Sequence, residues 1–195
     1  MAESAFDLVV GLGNPGPRYD RTRHNAGFWF VDAVAGRWGA RLREEARYRA
    51  ELGEATVEGL RIRLMKPLSF MNRSGQAVCP YVAYFRIPVQ RVLVVHDDID
   101  LAPGTVRLKR GGGHGGHNGL RSLMSCMDRG FWRLRLGVGH PGHRDEVVDY
   151  VLSTPPVRER QAIEDAMVRA LEVLPLMLRG ETDRAMQRLH TKTTN

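Results

Sequence analysis

Four consecutive apolar residues, Val92-Leu93-Val94-Val95 within the stretch RVLVVH at 91–96, constrain this chain more than any other feature. A strand with one face in water alternates apolar and polar residues. An unbroken branched run suits a strand covered on both faces, and such strands belong to parallel sheets sandwiched by helices. The flanking sequence offers the partners. Phe6–Leu12 reads as a second buried strand, and Thr22–Trp38 as a helix with Phe28, Val31, Ala35 and Trp38 at three- and four-residue steps. Residues 47–57 and 60–66 read as strands joined in a hairpin at Glu58-Gly59. A helix is expected over Ser74–Phe85, which Pro80 either interrupts or starts. Thr105–Lys109 and Arg133–Val138 read as strands around a helix at 116–127. Thr154-Pro155-Pro156 announces a helix over 157–178, with Ile163, Met167, Leu171 and Leu174 on one face and a kink or restart at Pro175. A short helix at 182–190 and a frayed tail, HTKTTN, complete the chain. The alternation predicts an α/β fold: a single domain over 1–195, with a twisted, mixed, mostly parallel sheet flanked by helices.

Composition narrows the function classes. No apolar run approaches the ~20 residues that span a bilayer. The start, MAESAFDLVV, lacks the basic-then-apolar layout of a signal peptide. Cys79 and Cys126 sit in apolar helical patterns without metal-type spacing. They read as buried thiols in a reducing compartment rather than a disulfide framework, so the expected location is the cytoplasm. The formal net charge is +7. Its distribution is more informative: between Pro103 and Gly139 the only acidic residue is Asp128, among seven lysines and arginines including Lys109 and Arg135. Such concentration is an electrostatic footprint for phosphates.

Three loops after expected strands are chemically unusual, and ligands of open α/β sheets collect beyond strand carboxyl ends. The first, GLGNPG, spells G-x-G-x-x-G at Gly11, Gly13 and Gly16. A dinucleotide loop would open a helix at once, whereas Pro15 and Pro17 remove donors here and Asp32 falls mid-helix. The loop therefore reads as a strand-ending turn with Asn14 at its tip. Just beyond lies TRHNAG, which puts His24 in the first turn of a helix capped by Thr22 or Asp20. The positive end of the helix dipole disfavours an imidazolium there, and a general base needs a neutral imidazole. In the second loop, HDDID, Asp97 stands at the tip of the central strand, where it could orient a histidine; Asp98 and Asp100 read as turn residues. The third, GGGHGGHNG, has five glycines before Asn118, which suits close backbone approach or gating. Its His114 and His117 form a weak metal pattern, and Asn118 could equally be a helix cap. Asn72 in FMNRSG precedes a helix expected to be capped by Ser74. A base, its orienter and neutral hydrogen-bond donors fit attack of water on an ester or amide. No serine nucleophile elbow and no Cys–His pair is present.

Over nearly its whole length the chain resembles bacterial-type peptidyl-tRNA hydrolase, through VVGLGNPGPRYDRTRHNAG, FMNRSG, HDDIDLAPG, GGGHGGHNGL and RLRLGVGHPG. The resemblance implies an enzyme that cleaves the ester between a peptide and the 3′ ribose of tRNA, with no cofactor, no metal and no membrane partner, acting as a monomer. It implies His24 as the residue that activates water and Asp97 as its orienter. It places Asn14, Asn72 and Asn118 around the ester, with Asn118 a candidate for the oxyanion, and Tyr19, Met71 and His117 with them in substrate binding. Lys109 and Arg135 match the pair that grips the terminal phosphate of tRNA. The sequence departs in Asp98, where the family often has glutamate, and in a short loop before Trp132. The alternative is a non-catalytic RNA-binding module on the same fold, as in the related plant chloroplast splicing factors.

Overall fold

The computed structural model describes residues 3–191, so most of the expected frayed tail lies outside the described residues. A seven-stranded sheet has the order β2-β3-β4-β1-β5-β7-β6. Its strands are β1 (Leu8–Gly11), β2 (Arg43–Glu45), β3 (Ala50–Val57), β4 (Leu60–Pro67), β5 (Val92–Asp98), β6 (Val106–Arg110) and β7 (Trp132–Gly137). The adjacent strands β4, β1, β5 and β7 are parallel, while β2, β3 and β6 run antiparallel to their neighbours. The helices are α1 (Ala26–Arg37), α2 (Ser74–Tyr84), α3 (Asn118–Met124), α4 (Val147–Val151), α5 (Val157–Leu178) and α6 (Thr182–His190).

The period of two along the central strands divides the core. Val9, Leu93 and Val95 point to the layer that holds Phe30 and Val34 of α1 and Leu174 and Met177 of α5. Leu8, Val10, Val92 and Val94 point to the opposite layer, against Val78 of α2 and Leu120 and Leu123 of α3. This is why the run at 92–95 carries no polar residue: both of its faces are covered.

Several elements differ from the sequence expectation. The helix expected from Thr22 begins at Ala26, after a separate 3-10 turn at Arg23–Asn25. The charged edge strand β2 and the five-residue α4 were not foreseen. Neither is long or patterned enough to show a period. Pro80 neither interrupts nor starts α2, which runs through it with the ring on the exposed side. The cysteines need correction too. Cys79 is half-buried, Cys126 is exposed, and the two are joined by a disulfide with their Cα atoms 6.2 Å apart. Helical periodicity places each cysteine on its own helix, but only the packing of α2 on α3 brings them together.

Candidate active site

Three adjacent parallel strands release the site residues from their carboxyl ends. β1 leads to Asn14, β4 to the 3-10 turn Met71–Arg73, and β5 ends with His96, Asp97 and Asp98. The histidine turn reaches them because α1 lies directly on the sheet. A Cβ on Gly27 would overlap the Val95 carbonyl and the Leu12 backbone, and one on Gly11 would overlap Gly27. Two glycines thus allow backbone-on-backbone packing, which brings residues 23–25 over the end of β5. Arg23 holds this turn from outside through Glu159 (2.9 Å), the Tyr150 carbonyl (3.1 Å) and the Tyr150 ring. The expected cap is absent: the Thr22 hydroxyl donates to the Tyr19 carbonyl instead.

His24 Nδ1 lies 3.0 and 2.9 Å from the two carboxylate oxygens of Asp97. His117 Nε2 lies 2.8 Å from Asp97 Oδ1. The tautomer of His117 follows from its other nitrogen. Nδ1 accepts from the Gly119 and Leu120 N–H groups and so caps α3, which leaves the proton on Nε2 for Asp97. The cap of α3 is therefore His117, not Asn118. With an ionised Asp97 able only to accept, the proton of neutral His24 sits on Nδ1, and among the described residues Nε2 has no hydrogen-bond partner. Burial pushes the Asp97 carboxyl up, but the His24 and His117 imidazoles more than offset this and hold it well below the usual carboxylate range. His96 is fully buried beside them. Burial first, then the neighbouring His117, pushes its pKa down to about 4, and its Nε2 has no partner among the described residues.

The asparagines are held differently. Asn14 is buried and fixed on three sides. Its N–H donates to Asn25 Oδ1 (2.9 Å), its carbonyl accepts from Asn25 Nδ2 (3.0 Å), and its Oδ1 accepts from the Met71 N–H (2.7 Å). Only its Nδ2 remains uncommitted. Asn72 and Asn118 are exposed, at the starts of the segments that lead into α2 and α3. Ser74 does not cap α2; its hydroxyl donates to the Met71 carbonyl. Met71 is buried, and Tyr19 stands edge-on to the exposed Phe70.

The basic ribbon of β6 and β7 forms a wall. Lys109 pairs in register with Arg133, and Arg107 with Arg135, so all four cations share one face of the sheet. They are not equivalent. Arg133 is buried and donates to the Gly112 and Gly113 carbonyls, fixing the glycine loop in which Gly111, Gly112, Gly115 and Gly116 have φ between 58° and 99°. Arg135 is ion-paired to Asp98 at 2.7 Å, and Lys109 is exposed. Asp98 is thus more than a turn residue, although it also accepts from the Asp100 N–H (2.9 Å).

One cleft of about 1090 Å³ is lined by His24, Asp97, Asn14, Asn72 and Asn118, by Tyr19, Met71 and His117, and by Lys109 and Arg135. The sequence reading missed Asn25 and Arg133, which act through backbone groups 11 and about 20 residues away, and the capping role of His117, because histidine is not among the usual capping residues. Among the described residues, His24, Asp97 and His117 are spaced such that they could hold a metal ion. The three aspartates of HDDID do not form such a site: Asp97 faces two histidines, and Asp98 faces Arg135.

Residues 8–195 match the family model described as peptidyl-tRNA hydrolase. The chain belongs to the peptidyl-tRNA hydrolase family. Among the curated members of that family, it is 55% identical to the peptidyl-tRNA hydrolase of Alkalilimnicola ehrlichii, with 96% of each chain aligned. It is 53% identical to that of Halorhodospira halophila, covering 96% of this chain and 97% of the other. The crystal structure of peptidyl-tRNA hydrolase from Acinetobacter baumannii superposes with a TM-score of 0.94 at 42% identity, over 97% of this chain and 96% of that one. For a peptidyl-tRNA hydrolase fold, the switch in strand order at β1 explains where the cleft lies: β4 and β5 flank β1, and their loops part above it.

Proposed function

We infer that this chain hydrolyses the ester bond of peptidyl-tRNA, releasing free tRNA and peptide, with a water molecule as the nucleophile. The observation that carries the chemistry is His24, whose Nδ1 is committed to a buried carboxylate while its Nε2 has no partner in the cleft. Nε2 takes a proton from water as the oxygen attacks the ester carbonyl. Asp97 keeps the ring oriented and favours the imidazolium that forms. The same proton then passes to the departing ribose oxygen. Asn118, Asn72 and the free Nδ2 of Asn14 donate to the ester and its developing oxyanion, and Tyr19, Met71 and His117 shape the peptide side of the cleft. Lys109 and Arg135 take the tRNA terminal phosphate. In this reading the enzyme works as a monomer in the cytoplasm, without a metal, as one domain over 1–195.

The non-catalytic RNA-binding alternative is disfavoured, since a binding module gains nothing from a buried Asp97 that holds a base. Release of N-acetyl-aminoacyl-tRNA, run beside the same tRNA with a free α-amino group, tests the reading. Turnover of the first and not the second is expected, unaffected by chelator. Binding without turnover at micromolar enzyme would favour the alternative. Activity lost in chelator and restored by a divalent cation would move the chemistry to a metal at His24, Asp97 and His117.

A further inference from the structure

We propose that Cys79 and Cys126 form a reversible dithiol–disulfide modification site for low-molecular-weight disulfides of the glutathione class, and that its state sets the spacing of the two helix starts that carry Asn72 and Asn118. The two helices touch where the chain permits a close crossing. The Gly75 N–H donates to Ser122 Oγ at 2.9 Å, and a Cβ on Gly75 would lie only 2.6 Å from the Ser122 carbonyl oxygen. Cys79 follows Gly75 by four residues and Cys126 follows Ser122 by four, so the same two surfaces meet again at the sulfurs. Their Cα separation of 6.2 Å is within the range a disulfide spans without backbone movement. Cys126 is exposed and Cys79 half-buried, which leaves the pair open to small oxidants and reductants.

The starts of these helices belong to the cleft. Asn72 stands two residues before α2, and Asn118 is the first residue of α3. A shallow groove lined by Asn72, Gln76, Cys79, Asn118, Arg121 and Cys126 connects the asparagines to the sulfurs. α3 has only seven residues and follows a glycine-rich loop, so its position depends heavily on what fixes it to α2. A covalent tie between the middle of α2 and the turn just after α3 restricts the asparagines at the two helix starts.

The chemistry balances with a disulfide as oxidant. The Cys126 thiolate attacks one sulfur of oxidised glutathione, forming a mixed disulfide and releasing one glutathione thiolate. The Cys79 thiolate then attacks the Cys126 sulfur and releases the second. Two protein thiols are oxidised, one disulfide is reduced, and the two protons leave on glutathione. Excess dithiol reverses both steps.

The test compares oxidised wild type, reduced wild type and the double variant Cys79→Ser/Cys126→Ser. Thiol titration should count two thiols after reduction and none after oxidised glutathione, with a Cys79–Cys126 peptide in the oxidised digest. The oxidised form should melt about 5–10 °C higher than the reduced one, a rise the double variant lacks. KM for N-acetyl-aminoacyl-tRNA should be about threefold lower in the oxidised form, because a preordered site binds more tightly. The double variant should match the reduced enzyme in both redox conditions. Thiols that resist oxidised glutathione, or a persistent glutathione adduct on Cys126, would overturn the modification site. A KM independent of redox state would overturn the coupling. The coupling rests on the assignment of Asn72 and Asn118 to substrate. Unchanged KM in Asn72→Ala and Asn118→Ala would sink that assignment alone, since titration and melting are read without substrate.

Discussion

Asp97 is buried and accepts hydrogen bonds from two imidazoles, so its charge depends on them and their orientation depends on it. In the proposed mechanism His24→Ala removes the base and leaves the basic β6–β7 wall intact. Its kcat should drop about 10²–10⁴-fold with little change in tRNA affinity, read by single-turnover release and a binding titration. Asp97→Asn should cost less than that, because the imidazole remains; an Asp97→Asn enzyme with full activity would show that His24 needs no orienter. His96 gives a stability prediction. Its folded pKa is about 4, against about 6.5 in an unfolded chain. Between those values the unfolded state binds a proton that the folded state refuses, so stability falls as pH drops through the window and is flat above it. Lowering the pH from 7 to 5 should therefore cost roughly 2 kcal/mol through His96. Asp97, whose folded pKa is depressed, loses its contribution only at still lower pH. Urea melts of wild type and His96→Gln at both pH values check this: the variant should show a smaller loss.

At the scale of elements, the site depends on how closely α1 lies on β1 and β5. Gly27→Ala puts a methyl into the Val95 carbonyl and the Leu12 backbone, neither of which is the flexible end of a side chain. A loss of about 1–3 kcal/mol in the urea midpoint is expected, together with reduced kcat, as the helix shifts and carries His24 away from Asp97. An unchanged midpoint would mean that α1 can slide without cost. The positions of the helices were largely legible from periodicity, and α2, α5 and α6 start where the sequence placed them, but α1 does not. α1 begins four residues later than the pattern implied, because residues 23–25 form a tighter turn held by Arg23 to α4 and α5. That anchor pairs residues more than 120 apart in sequence, which no local pattern records.

For the whole molecule, the net charge of +7 matters through where it collects. Lys109 is exposed on the β6–β7 wall, whereas Arg135 is already paired with Asp98. Lys109→Ala and Arg135→Ala should each flatten the log–log salt dependence of tRNA binding by roughly one unit and raise KM for full tRNA. Both should spare kcat, and both should matter little for a short 3′-terminal fragment without the 5′ phosphate. His24→Ala should instead fail on long and short substrates alike. Equal losses on both substrates in the two cation variants would remove the phosphate clamp. Because Arg135 must also give up or share Asp98, its variant should show the smaller slope change of the two.

The sequence by itself determined the sheet class, the two-sided core, and the loops that line the cleft. These follow from local periods and from residue types that suit strand ends, turns and bases. The tertiary structure alone decided which of those groups touch. His24 and Asp97 are 73 residues apart, and His117 caps a helix with one nitrogen while bonding Asp97 with the other. Arg133 holds the glycine loop, Asn25 fixes Asn14, and two cysteines that read as separate buried thiols meet across a helix crossing. Hydrogen bonds and disulfides depend on separations of a few ångströms. A one-dimensional pattern sets the face and the element, but only packing sets the distance.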